Sequence, residues 1–218
     1  MLIEEARWLG RKMSELPSAD IFPMLDVGSG TDELRNRKEP WIDEYVFKAA
    51  RQVNGRVVHS DILDGSGVDI VGDLCDAAFR EQLRAMNFRS IFCSNLLEHL
   101  PNREIIAELL ANIIPAGGYI IASCPYMYPH HPAPIDTMFR PNVEELAHVF
   151  PGTKLVCGEI VTGETYMERI IRNPLELVRL GLPFYKPKNW LAKTRKLLWL
   201  FKNFQATCVL LQKREQSG

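Results

Sequence analysis

Short apolar runs rich in β-branched residues alternate with helically spaced patterns along most of this chain. The runs "FPMLDV" (22–27), "RVVHS" (56–60), "VDIVG" (68–72), "SIFCS" (90–94), "YIIASC" (119–124), "KLVCGEIV" (154–161) and "ATCVLLQ" (206–212) predict seven strands. Amphipathic stretches at 40–53, 76–86, 101–113 and 141–149 predict helices between them. Pro40 and Pro101 stand where prolines open helices, and Pro115 to Gly118 ends one before the fifth strand. Leu2, Ala6, Leu9, Met13 and Leu16 recur at helical spacing, so residues 1–20 predict a helix packed ahead of the first strand. Strands alternating with helices imply βαβ units and a mainly parallel sheet, hence an α/β fold.

A length of 218 residues suits one such domain over 1–218, and 46% apolar residues is ordinary for a globular chain. Glu4 and Glu5 interrupt any signal-like apolar start, and no apolar run approaches a membrane span. The expected location is cytoplasmic. Five widely spaced cysteines without a CxxC pair suit buried, reduced thiols better than disulfides or a zinc site.

Charge changes the picture near the end of the chain. From Leu177 to Arg214 there is no Asp or Glu while nine Lys and Arg accumulate, so the other 180 residues carry −10. This basic block falls in a helical insertion, residues 162–203, between the last two strands. Within it Trp190, Thr194, Leu197, Leu198 and Phe201 share one helical face, and Lys188, Arg195, Lys196 and Lys202 lie largely on the other. Either the helix packs on the domain with a solvated basic side, or residues 186–203 lie on anionic lipid as a peripheral membrane contact. Nucleic acid is the weaker partner, because the acidic body opposes it.

The stretch "MLDVGSGTDEL" (24–34) carries the first chemistry. Gly28 and Gly30 permit a sharp turn and close approach of a ligand at a strand's carboxyl end. A pyrophosphate would favour a third glycine and no carboxylate, but Asp32 and Glu33 follow. A ligand bearing a sulfonium and an amino group, such as S-adenosylmethionine, suits that acidity. Asp61 ends the second strand, placed to accept from ribose hydroxyls. Asp73 ends the third, placed to accept from an adenine amino group beside the backbone of Leu74.

Through "LDVGSG", "VDIVGDL", "SNLLEHLP", "IIPAGGYIIASCPY" and "YPHHPAPIDTMFRP", over roughly residues 22–161, the chain resembles the class I S-adenosylmethionine-dependent methyltransferases. It is most similar to their type 11 group. The resemblance implies a Rossmann-like, doubly wound seven-stranded sheet with its last strand antiparallel. It puts Asp26, Gly28, Ser29 and Gly30 at the methionine part of the cofactor, Asp61 at the ribose, Asp73 and Leu74 at the adenine, and Ser94 and Asn95 beside the sulfonium. The chain departs from the family pattern at Asp32, where a third glycine is usual. It departs again at Arg89-Ser90, where an Asp commonly opens the fourth strand, and in the long loop from Thr31 to Pro40.

The proline-stiffened segment "PYMYPHHPAPIDTMFRP" follows the fifth strand and should cover the ligand end of the sheet. His130, His131, Asp136 and Arg140 are thereby candidates to face a methyl acceptor. If the acceptor is a hydroxyl, a base must take its proton, and His130 or His131, oriented by Asp136, is the expected base. Glu98 and His99 serve equally well to order the helix after them. The two histidines with Asp136 and Glu98 fit no compact metal motif, so no metal is expected. His59 and His148 read as structural or surface residues. Similar type 11 proteins are associated with cell-surface glycan synthesis, which implies a sugar, glycolipid or small-molecule hydroxyl as acceptor, possibly lipid-linked. Two rivals are a non-catalytic S-adenosylmethionine-binding module and a nicotinamide-dependent oxidoreductase, the latter lacking its third glycine.

Overall fold

The computed structural model describes residues 1–131, 135–172 and 199–215. Helix α1 (Ile3–Ser14) and the short α2 (Ser18–Ile21) precede strand β1 (Met24–Val27). Two π-helical turns, Leu34–Lys38 and Asp43–Phe47, then α3 (Lys48–Gln52), lead to β2 (Val57–Asp61). Next come β3 (Ile70–Val71), α4 (Ala77–Ala85), β4 (Ser90–Ser94), α5 (Arg103–Ala111) and β5 (Tyr119–Pro125). The chain continues through α6 (Val143–His148), β6 (Thr153–Thr165), α7 (Tyr166–Arg172) and β7 (Asn203–Lys213).

All seven strands join one sheet in the order β3-β2-β1-β4-β5-β7-β6, and β7 runs antiparallel to both its neighbours. The doubly wound, Rossmann-like sheet expected from the sequence is the observed one. Strand order reverses between β1 and β4, which opens a crevice at their carboxyl ends. Side chains alternate across the sheet with the strand period. Ile91 and Cys93 of β4, Ile120 and Ala122 of β5, and Val209 and Leu211 of β7 face α4, α5 and α6. Phe92, Ile121, Cys208 and Leu210 face the opposite layer, where Ala6, Leu9 and Met13 of α1 pack with Val46, Phe47 and Ile170. The five cysteines are free thiols, and Cys93, Cys124 and Cys208 are buried in these strands.

Helix starts follow local chemistry. Asp76 caps α4 by accepting from the Ala78 N–H at 2.9 Å, and Asn142 with Glu145 forms a reciprocal capping box on α6. The helix expected over 40–53 is a helical segment over 41–52, in which the second π turn runs directly into α3. The first π turn falls in the stretch expected as a loop between Thr31 and Pro40, and there the Glu39 N–H reaches back five residues to the Leu34 carbonyl at 2.9 Å. Arg35 in the first turn and Val46 and Phe47 in the second are buried. The insertion is shorter than expected, because β6 extends to Thr165 and β7 begins at Asn203. Most of the proposed lipid-facing stretch, up to residue 198, lies outside the described residues.

Helix α1 meets the second π turn backbone to backbone. A Cβ on Gly10 would lie 1.9 Å from the Tyr45 carbonyl oxygen. Helix propensity alone would make Gly10→Ala stabilising by about 1 kcal/mol, whereas the clash should make it destabilising by about 1–3 kcal/mol or more. Urea denaturation of the variant gives the sign.

Candidate active site

The cofactor-type turn after β1 is held from two sides. Gly28 and Gly30 take φ of +66° and +59°, left-handed values that the absence of a Cβ permits. Asp61 Oδ2 accepts the Gly30 N–H at 2.9 Å, and its Oδ1 accepts that of Leu63 at 3.0 Å. Arg35 donates to the carbonyls of Ser29 (2.9 Å), Gly30 (2.8 Å) and Gly67 (2.6 Å), fastening the turn to the β2–β3 loop. Asp26 is buried beneath the turn with Oδ2 2.7 Å from His59 Nδ1. Burial pushes the Asp26 carboxyl upward from its ordinary range, and the His59 contact only partly offsets this.

Asp26, Gly28 and Ser29 line a cavity of about 120 Å³ with Arg35, Ser94 and Asn95. Beside it lies a cavity of about 450 Å³ at the carboxyl ends of β4 and β5, and Met1, Leu34, Glu39 and Asn95 line both. Asp61, Asp73 and Leu74 line neither cavity. Asp61 sits half-buried at the end of β2, next to exposed Ile62 and Leu63. Asp73 is exposed and turns its Oδ1 to the Cys75 N–H at 2.8 Å, while the Leu74 carbonyl accepts from Arg80.

Asp32 and Glu33, expected to make the ligand site acidic, lie away from the described cavities. Glu33 pairs with Lys38 at 3.5 Å, both well exposed, and neither Asp32 nor Glu33 lines a described cavity. The carboxylates in the large cavity are Glu5, Glu39 and Glu98. Glu39 ion-pairs the Met1 ammonium at 2.7 Å. Burial opposes that charge, yet Glu39 and Glu5 together hold the amino group's pKa above its ordinary value. Glu5, fully covered, takes hydrogen bonds on Oε1 from Ser123 Oγ (2.6 Å), Asn95 Nδ2 (2.7 Å) and Ser94 Oγ (3.3 Å), and on Oε2 from the Leu2 N–H (2.8 Å). A carboxylate on the apolar face of an amphipathic helix was the available signal for Glu5.

The wall opposite is the loop after β5. Thr137 ties it to the Glu98 carbonyl through both its N–H and its hydroxyl, each at 2.9 Å. Asp136, its carboxylate enclosed, accepts from Arg140 at 2.7 and 3.1 Å and from the N–H groups of His131 and Met138. Burial alone would raise its pKa, but these donors prevail and hold it well below the carboxylate range. His131 lines the cavity with Nδ1 3.3 Å from Asp136 Oδ2. Desolvation lowers the His131 pKa, with its backbone hydrogen bond and the charge of Asp136 opposing. His130 is exposed and does not line this cavity, which corrects its expected equivalence with His131. Pro132 and Pro134 of this loop lie outside the described residues.

His99 stacks on His131 with ring centroids 5.3 Å apart and turns Nδ1 to the Ile135 carbonyl. Glu98 is fully buried beside them, its Oε1 without a hydrogen-bond partner among the described residues. Burial, reinforced by the charge of Glu5, pushes its carboxyl up to about 8. Tyr128, Arg169 and Gln205 complete the polar wall, with Arg169 donating to Tyr128 Oη at 3.3 Å and to Glu164 at 3.0 Å. Sequence reasoning missed Arg169, carried by α7 after β6, and Gln205, which the antiparallel return of β7 brings to the crevice.

No protein-family model matches the chain, and no curated protein sequence is similar to it. Solved structures do match. A putative sarcosine dimethylglycine methyltransferase from Galdieria sulphuraria superposes with a TM-score of 0.53 at 12% identity, over 96% of this chain and 85% of that one. Coclaurine N-methyltransferase bound to N-methylheliamine and SAH gives 0.50 at 16% identity, over 96% and 72%. The [4+2]-cyclase SpnF gives 0.52 at 14% identity, over 94% and 80%. The chain shares the fold of these proteins, two of which are methyltransferases. The cyclase shows that this fold also serves other reactions.

Removing the Glu5 carboxylate should leave buried donors of β4 and β5 unpaired, at about 1–3 kcal/mol for each. Glu5→Ala is therefore expected to lower stability markedly in chemical denaturation, with Glu5→Gln recovering part of the loss. Equal stability of Glu5→Ala and wild type would contradict the network.

Proposed function

We propose that the protein transfers a methyl group from S-adenosylmethionine to a hydroxyl of a sugar, glycolipid or small molecule. The observation that carries this is a carboxylate-lined cavity at the carboxyl ends of β4 and β5 with His131, close to Asp136, in its wall. A cationic sulfonium and an ammonium group are complementary to Glu5 and Glu39, which line this cavity. Asp26, Gly28, Ser29 and Gly30 would meet the methionine part, with Ser94 and Asn95 beside the sulfonium. Asp61 retains a lone pair on each oxygen for ribose hydroxyls, and Asp73 would receive the adenine amino group near Leu74. The type 11 resemblance of "LDVGSG" and "YPHHPAPIDTMFRP" supports the same assignment.

Transfer is an in-line displacement: the acceptor oxygen bonds to the methyl carbon as the carbon–sulfur bond breaks and the sulfonium becomes a thioether. The protein's tasks are alignment, exclusion of water and removal of the hydroxyl proton. With Nδ1 facing Asp136, the Nε2 of His131 is the ring nitrogen that would take that proton. Arg169, Gln205 and Tyr128 supply hydrogen bonds suited to a hydroxyl-rich acceptor.

Calorimetry should show binding of S-adenosylmethionine and its demethylated product, weakened by about 1–3 kcal/mol in Asp61→Ala and in Asp73→Ala. Absence of binding of either compound to folded wild type overturns the reading, and binding of a nicotinamide cofactor instead would favour the oxidoreductase. With an acceptor found by screening saccharides and small metabolites with labelled cofactor, His131→Ala should lose about 10²–10⁴ in rate, and His130→Ala little. A cofactor-binding protein that methylates nothing in such a screen would be the non-catalytic module.

The lipid-linked form of this proposal rests on residues 186–203. Replacing Lys193, Arg195 and Lys196 with Gln should lower cosedimentation with anionic vesicles at low salt, by about 1 kcal/mol per charge, without changing cofactor affinity. No vesicle binding by the wild type would restrict the acceptor to free molecules.

A further inference from the structure

Three side chains at one corner of the large cavity converge in a manner that proton removal by His131 alone does not require. One donor atom each from Glu98, His99 and His131 lies within 4.8 Å of the other two. His99 Nε2 is 3.7 Å from Glu98 Oε1, the buried oxygen that has no hydrogen-bond partner among the described residues. His99 has Nδ1 engaged by the Ile135 carbonyl, and His131 has Nδ1 3.3 Å from the Asp136 carboxylate, which also accepts the His131 backbone N–H. The His99 ring is thus fixed in orientation with Nε2 as its remaining nitrogen. Metal-bound histidines are held in this way by carbonyl or carboxylate partners.

We propose that Glu98, His99 and His131 form a binding site for a divalent transition-metal ion. Two imidazoles and one carboxylate are a donor set of Zn²⁺, Mn²⁺ or Co²⁺ rather than of Mg²⁺, which prefers oxygen. Ligands about 2.1 Å from an ion stand roughly 3–4 Å from one another, so closing from the observed spacing needs only small side-chain movements. Three protein ligands leave a position open toward the cavity, where an acceptor hydroxyl would coordinate and become more acidic. The site rests on the reading of this cavity as the acceptor site only for that last consequence. With the ion bound, His131 is a ligand and coordination lowers the hydroxyl's pKa; without it, His131 is the group that accepts the proton.

The test uses the full chain, stripped with chelator, titrated with Co²⁺ and followed by visible absorption, with no cofactor present. One equivalent should bind with a ligand-field spectrum that Zn²⁺ abolishes. Glu98→Gln, His99→Ala and His131→Ala should each weaken Co²⁺ binding by about ten-fold or more, and Asp136→Asn by about 10–100-fold. His148→Ala, remote from the site, should bind as wild type. Near-UV circular dichroism identifies variants that remain folded, and Glu98→Gln keeps the side chain's shape. No saturable binding by wild type, or undiminished binding by the folded Glu98→Gln and His131→Ala variants, overturns the proposal. Because the readout needs neither cofactor nor turnover, a failure to bind S-adenosylmethionine would leave the metal result intact, and the converse also holds.

Discussion

The ligand end of the sheet depends on one buried carboxylate. Glu5 leaves helix α1 and reaches the ends of β4 and β5, where Ser94, Asn95 and Ser123 converge on a single oxygen. Parallel strands end in polar groups that neither sheet nor helix satisfies, and burying them under α1 is tolerable only with a hydrogen-bonding partner. Glu5 is that partner. Gly10 lets the same helix settle against the Tyr45 carbonyl, so the lid over the crevice is fixed by close packing at one point and by charge-assisted hydrogen bonds at another.

Around this lid the crevice divides its tasks between opposite walls. On the β1 and β2 side, Arg35 and Asp61 grip the glycine turn from above and below and so fix the backbone that a cofactor would approach. On the β5 side, Arg140 locks Asp136 and Asp136 orients His131. Glu5 and Glu39 lie between and make the space favourable to cations. A cationic methyl donor and a polar acceptor approaching from the two walls would meet near Asn95, Glu98 and His131.

The alternation of strands and helices was legible because period-two and period-3.6 patterns are local, and the observed sheet follows them across both of its faces. The acidic strand ends and the glycine turn were legible for the same reason: each lies within a few residues of a strand's end. Illegible were groups whose role depends on partners far along the chain. Glu5 is 118 residues from Ser123, and Gln205 comes to the crevice only because β7 inserts between β5 and β6.

The sequence by itself determined the α/β class, the order of its elements, the position of the turn after β1 and the loop that carries His131 and Asp136. Tertiary structure alone decided which carboxylates face the cavity, since Asp32 and Glu33 lie outside it and Glu5, Glu39 and Glu98 line it. It also separated His131 from the adjacent His130, one lining the cavity and the other exposed. The physical reason is one of range. Propensity and periodicity act between neighbours in sequence, whereas the burial of a charge is set by the hydrogen bonds that distant segments bring to it.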